Sequence, residues 1–424
     1  MVGPTVYEPE QNLAKLPIGQ SNVRLHLQNS SMKKASRAFD SFLKLSLCFF
    51  SILCFQPGGG ICGQEKTAHR RVPVIDVTDL YQPFQDPGDN FDLLTAYALP
   101  EVDLKAVILD THESFRKATS DHPILHDSDH NGPRDAGFVS VIQLNYIFNR
   151  NIPVAAGPFL PMKSPEDEML DAPGFQQQGV ELILKVLRNS PEPVSILSFG
   201  SARSIAVAYN RDPALFHRKV AKIYLSAGSS SPGYLEWNIA LDINAALRLL
   251  RSDLPIDIFP CATKDGPFAY ESHNSYWKLP DLEFIHDLDP KVRRYLDYAF
   301  GRTCRCDFLR AMDEDPTPSP KIEAYSHPHN VWETAVWMEV SNRVLVRHRD
   351  GSYRIIPVAE VSQKDFVLAN RMQPCLLTVP NDAMFNFTLT QGKSNFRIYY
   401  RADPRQNEEA LRQALPELYR SFHP

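Results

Sequence analysis

Apolar residues occur in two alternating patterns along most of this chain. Short runs rich in apolar residues fall at Val72–Val77, Leu104–Leu109, Val154–Ala156, Val194–Phe199, Lys222–Leu225 and Ile256–Phe259. These have the length and β-branched content of buried strands. Between them, apolar residues recur every three or four positions over Asp89–Leu99, Gly137–Asn149, Phe175–Leu187, Ala202–Tyr209 and Asp242–Leu250. That spacing predicts helices, and strands alternating with helices predict an α/β fold with a mostly parallel central sheet flanked by helices. Residues 263–325 are rich in Pro, Asp and aromatics and read as a cap or insertion over the sheet, with a helix over Lys291–Phe300, and another helix follows over Val331–Glu339. The period then changes. Val344–Arg349, Asp350-Gly351 and Ser352–Pro357 form a hairpin signal, because Asp-Gly supplies positive φ. Residues 344–401 therefore read as a small β-rich C-terminal appendage, closed by a helix over 406–420. The expected organisation is a leader at 1–70, an α/β domain at 71–340 and the appendage at 341–424.

The leader changes the expected compartment. Lys33, Lys34 and Arg37 precede Leu45–Phe55, eleven residues without a charge, and turn formers follow from Pro57 to Gly60. A basic start, a short apolar core and small residues describe an export signal over 32–63, in a protein that is periplasmic or extracellular. The run is shorter than the ~20 residues a spanning helix needs, so no stable membrane span is expected after cleavage. Met1 and Met32 both remain candidate starts. Three of seven cysteines lie in the leader, which leaves Cys261, Cys304, Cys306 and Cys375. That is too few for a disulfide scaffold, though one bridge, such as Cys261 to Cys375, stays open. Cys304-Arg-Cys306 lacks zinc-site spacing. With 45 Lys+Arg against 50 Asp+Glu, no basic excess calls for a nucleic-acid partner. The oligomeric state stays open.

The densest chemical signal follows the first strand. Asp76, Asp79, Asp86, Asp89 and Asp92 fall within seventeen residues, at a strand end and a helix start. Crowded carboxylates repel unless a cation neutralises them, and hard oxygens suit calcium. The alternative is a helix N-terminus with solvated loop acids. In parallel sheets the site lies beyond the carboxyl ends of the strands, where this chain places its Asp, Gly, Ser and His residues.

Several blocks then resemble, in order, the inosine-uridine-preferring nucleoside hydrolase family. They are Asp86-Pro-Gly-Asp89-Asn90, with its helix ending Ala96-Tyr-Ala-Leu-Pro-Glu101; Ile152-Pro-Val-Ala-Ala-Gly157; Val194–Gly200 running into Ser201-Ala-Arg-Ser; Ile223–Gly228; Glu236-Trp-Asn238-Ile-Ala-Leu-Asp242; and His329-Asn330-Val-Trp-Glu-Thr-Ala335. The resemblance covers roughly residues 72–340 and implies hydrolysis of the N-glycosidic bond of a nucleoside or related riboside by a calcium-activated water. It implies Asp79 as base and metal ligand, with Asp86, Asp89, the Phe199 carbonyl and Asn330 completing a Ca2+ site, and Asp92 as an alternate. Glu236 and Asn238 would hold sugar hydroxyls, with Ser230 and Glu113 (or His112) beside them. His329 would protonate the leaving base, with His327 nearby. The partner implied is a small sugar or nucleoside.

The chain departs from that pattern in places. Tyr81 to Gln85 are inserted before Asp-Pro-Gly, the paired acids become Asp89-Asn90, and the late metal aspartate is Asn330, which offers oxygen without charge. Two other readings therefore stand beside the first. One is a non-enzymatic sugar- or glycan-binding module with an incomplete metal site. The other is a hydrolase of another glycoside class using Asp79 and Glu236 as a carboxylate pair. Trp237 reads as wall or core, Asp242 as a helix cap, and Ser195, Ser198, Ser201 and Ser204 lack the nucleophile-elbow pattern of serine hydrolases.

Overall fold

The computed structural model describes residues 71–80, 87–110, 135–301, 306–314 and 322–424. The expected export signal, Asp86, His112, Glu113 and Cys304 lie outside the described residues. Six strands form the parallel centre: β1 (Val72–Thr78), β2 (Val102–Leu109), β3 (Val154–Ala156), β4 (Val194–Ser198), β5 (Val220–Leu225) and β6 (Ile256–Ile258). Their spatial order is β3-β2-β1-β4-β5-β6, and each neighbouring pair is parallel. From β1 the chain winds outward to β3, then returns to the other side of β1 with β4. The direction of winding thus reverses between β1 and β4, and such a reversal opens a crevice at the carboxyl ends.

The helices are α1 (Pro87–Ala98), α2 (Phe138–Ile147), α3 (Gly174–Asn189), α4 (Arg203–Arg211), α5 (Pro213–Lys219), α6 (Trp237–Leu241) and α7 (Ile243–Leu250). In α3 the buried residues Val180, Ile183, Leu184 and Leu187 make one apolar stripe against the sheet. Two apolar layers result. Val74 belongs to the layer with Leu93, Tyr97 and Leu144, whereas Ile75 and Val77 belong to the layer with Ile183 and Ile205. Because side chains alternate along a strand, Asp76 and Thr78 share the face of Val74.

Beyond β6 an antiparallel ribbon, β7 (Trp277–Leu279) with β8 (His329–Val331), flanks α8 (Pro290–Phe300) in the sequence, and α9 (Thr334–Val340) follows. The expected hairpin is present as β9 (Arg343–Arg347) and β10 (Tyr353–Pro357), with Gly351 at φ +89°. With β11 (Phe366–Val367) it forms a small antiparallel sheet. The remaining strands behave differently from a separate appendage. Here β12 (Asn370–Thr378), β13 (Asn386–Leu389) and β14 (Phe396–Arg401) extend the main sheet to nine strands, with β14 parallel to β6. The final helix α10 (Pro404–Arg420) starts at Asp403, whose carboxylate accepts from the Arg405 and Gln406 N–H groups. Residue 340 therefore marks no break in the sheet. Cys261 and Cys375 are buried free thiols. Among the described residues, no helix is long and apolar enough to cross a membrane.

Candidate active site

The turn after β4 lies at the reversal point. Gly200 passes so close to its neighbours that a Cβ there would sit 3.1 Å from Asp110 Oδ2 and 3.2 Å from Asp79 Cβ. Asp79, just past β1, and Asp110, just past β2, therefore come together beside Gly200. Asp110 accepts hydrogen bonds from Ser201 Oγ and from Ser204 Oγ (2.9 Å), both at the start of α4. Ala202, between them, is held at φ +59°, a left-handed conformation that costs a non-glycine residue of order 1–3 kcal/mol. Such strain tends to persist where a site requires a particular backbone path.

Gly157, at the end of β3, completes this packing. A Cβ there would fall 2.0 Å from Ser204 Oγ. Gly157→Ala is expected to displace Ser204 from Asp110 and cost roughly 1–3 kcal/mol, read as a lower urea midpoint.

Below the turn, Asp76 and Asp92 form a fully buried pair. Burial pushes the Asp76 carboxyl up to about 7, and neither of its oxygens has a hydrogen-bond partner among the described residues. Burial, the Asp76 charge and the Glu333 charge push Asp92 up as well, while Trp337 Nε1 donates to it at 2.8 Å. Folded Asp76 thus holds its proton more tightly than the unfolded chain does. Its contribution to stability is present below pH ~4 and is lost as pH rises through about 7. Asp76→Asn should therefore gain stability relative to the parent at pH 8 compared with pH 5, measured by urea unfolding at both values.

The Glu236 carboxylate is occupied by its own backbone surroundings. It caps α6, accepting from the N–H groups of Gly228 (2.8 Å), Asn238 (3.0 Å) and Ile239 (3.2 Å). Burial still pushes it up to about 7. Asn238 Nδ2 donates to the carbonyls of Ser226 (2.9 Å) and Phe199 (3.4 Å). Ser230 is buried and donates to Glu271 (2.6 Å). Asn330 Oδ1 accepts from the Tyr276 hydroxyl at 3.0 Å. His329 lies on β8 with Nε2 2.6 Å from the Ala324 carbonyl, and since a carbonyl only accepts, Nε2 carries the proton. Burial lowers the His329 pKa, so this ring stays neutral at pH 7 with its N–H already used. That geometry does not favour proton donation to a leaving base. Trp237 is 56% exposed, and Asp242 caps α7 while pairing with buried Arg203.

A calcium cage needs several acidic ligands in one place. Among the described residues, no three His, Cys, Asp or Glu side chains gather as a metal would require. The Phe199 carbonyl lies within reach of Asn238, and the Asn330 amide oxygen takes the Tyr276 hydroxyl. The described residues alone do not fit a closed calcium site.

Residues that the sequence did not single out also gather here. Asp110 ends β2 as Asp79 ends β1, and that parallel was the available signal. Glu333 precedes α9, and its charge is felt by both Asp92 and Cys261. Burial pushes the Cys261 thiol well up, helped by the charges of Glu236, Glu333 and Asp79.

Residues 129–317 match the family described as inosine-uridine preferring nucleoside hydrolase. Over this segment, less than half of its length, the chain is similar to that family. The pyrimidine-specific ribonucleoside hydrolase RihA of Citrobacter koseri is 30% identical over 194 residues, covering 40% of this chain and 56% of that protein. The RihA of an Enterobacter species is 32% identical over 194 residues, with the same coverage. The chain thus spans about half the length of the curated relatives it matches. Among solved structures, a purine-preferring ribonucleoside hydrolase from Gardnerella vaginalis aligns with TM-score 0.46 and 14% identity over 82% of this chain and 99% of that one. An inosine-uridine preferring nucleoside hydrolase from Bacillus anthracis aligns with TM-score 0.43 and 13% identity over 83% and 100%. The nucleoside hydrolase match takes in Phe199, Glu236 and Asn238 and leaves out Asp79, Asp89 and Asn330.

Proposed function

We propose that this chain hydrolyses the N-glycosidic bond of a nucleoside or related riboside at the carboxyl edge between β1 and β4. The observation that carries the reading is the meeting of Asp79 and Asp110 beside Gly200, at the reversal point of a sheet whose middle matches nucleoside hydrolases. In this reading Asp79 accepts the proton of the attacking water, as a positioned carboxylate does. Asp110, held by two serine hydroxyls, keeps the Gly200 turn and the opposite wall in place. The C1′–N bond breaks as the water oxygen bonds to C1′; the base leaves with the bonding electrons and takes a proton from solvent, and Asp79 returns the water's proton to solvent.

The finer reading adds a calcium ion held by Asp79, Asp86 and Asp89 with the Phe199 carbonyl. No step above is routed through it. A rise in melting temperature at millimolar calcium that disappears in Asp86→Asn supports it, because a ligand bound only by the folded state stabilises that state. No rise removes calcium from the reading. Export through residues 32–63 is a further proposal, tested by sequencing the N-terminus of the secreted product.

The function is tested by base release from inosine, uridine and a nitrophenyl riboside. Turnover of one of them supports a hydrolase. A folded chain that binds ribosides and cleaves none is the binding module. The occupied carboxylate of Glu236 is the observation on that side.

A further inference from the structure

The chain from Pro260 to Tyr276, between β6 and β7, packs on one side against the loop that follows β5, where the Cys261 N–H donates to the Gly228 carbonyl (2.9 Å) and the Ser230 N–H to the Ala262 carbonyl (2.8 Å), and on the other against the C-terminal segment. On the first side, Glu271 accepts from Ser230 Oγ (2.6 Å) and Ser231 Oγ (3.1 Å). Trp332 Nε1 donates to the Cys261 carbonyl (2.7 Å), and the rings of Phe268, Tyr276 and Trp332 lie 5.6–6.2 Å apart. Phe268 is 58% exposed, so this aromatic cluster has an open face.

On the other side, two buried charges hold the loop. Arg401, at the end of β14, is fully buried. It donates Nη2 to Asn274 Oδ1 (2.8 Å), its backbone N–H to the Ser272 carbonyl (2.7 Å) and Nε to the Glu271 carbonyl (3.4 Å). Glu408, on α10, is 4% exposed and accepts from the Tyr270 hydroxyl and from the Lys278 N–H (2.9 Å). Arg412 pairs with Glu408 at 2.6 Å, and the Arg405 guanidinium lies 3.9 Å from the centre of the Tyr270 ring. Burying charges this deeply costs free energy that well-packed apolar residues would avoid. Both charges are directed at one loop.

We propose that Arg401 and Glu408 are positioning residues that set the substrate preference of the site. They hold residues 260–276 so that Glu271 faces the sugar hydroxyls and the Phe268–Tyr276–Trp332 cluster faces the leaving group. This rests on the hydrolase reading above. Neither residue lies in the segment that matches the family: Arg401 ends β14 and Glu408 is on α10.

The test uses the full chain with Glu408→Gln, Arg401→Lys and the milder Tyr270→Phe, which removes only the hydroxyl that reaches Glu408. Two measurements are made. Hydrogen exchange of residues 261–276 should quicken by about tenfold or more while the β1 and β4 amides stay protected. For the nucleoside turned over best, KM should rise about tenfold with kcat within about twofold, the mark of lost binding rather than lost chemistry. Unchanged loop exchange in all three variants overturns the proposal. So does a loss of kcat in step with a general loss of protection, which marks Arg401 and Glu408 as merely structural. If the parent cleaves none of the three substrates, the hydrolase reading fails and substrate positioning falls with it. Quickened loop exchange in the variants would then still establish that Arg401 and Glu408 hold the loop.

Discussion

In Asp79→Asn, kcat/KM for the best nucleoside falls by about 10²–10⁴, the usual contribution of a positioned acid–base group. The loss appears in kcat, because the carboxylate acts on the water rather than on ground-state binding. Asp79 is half-buried just past β1, so the amide substitution removes charge without opening a cavity. The comparison variant is Asp110→Asn. Its carboxylate already accepts from Ser201 and Ser204, so it should lose stability as well as activity. An Asp79→Asn protein that retains full turnover removes Asp79 from the role of base.

Arg203→Met should destabilise the fold by about 3–5 kcal/mol, the cost of leaving one partner of a buried ion pair alone. Both side chains are fully buried, with Arg203 Nε 2.7 Å from Asp242 Oδ2. Arg203 also donates to the carbonyls of Pro158 (2.9 Å) and Leu241 (3.1 Å), and Asp242 accepts from the N–H groups of Met162 (2.9 Å) and Ala245 (3.0 Å). This cluster ties the loop after β3 to the start of α7, under the Gly157 and Ser204 contact. The double variant Arg203→Met/Asp242→Asn should recover part of the loss, since no unpaired charge remains. Urea unfolding of the two single variants and the double variant gives the coupling directly. Simple additivity would mean that Asp242 is stabilised by its cap alone.

The central strands were legible because a strand buried on both faces leaves a short run rich in β-branched and apolar residues, as at Val194–Ser198 and Val72–Thr78. The helices were legible from their apolar stripes, with ends differing by one to three residues. The fate of the last strands was not legible. In β12, Cys375 is buried while Leu376 is 56% exposed, the alternation of a half-solvated antiparallel strand. That pattern does not reveal which sheet the strand joins. At the site, Asp79 was legible as an acid closing the first strand. Asp110 has the same placement on β2, but the motif reading drew attention past it to His112 and Glu113. Glu236 was named for its chemistry, yet an acid just before a helix serves a sugar hydroxyl or a backbone cap equally well in sequence. The contacts of Arg401 and Glu408 span well over a hundred residues and leave no local pattern.

The partnership of β14 with β6 has a consequence during synthesis. Until β14 leaves the ribosome, the hydrogen-bonding edge of β6 has no parallel neighbour, and Ile256 and Ile258 lack the cover of Ile398. An open apolar edge of this kind invites pairing with other nascent chains. Ribosome-stalled or truncated products ending before Phe396 are expected to be chaperone clients rather than smaller folded proteins.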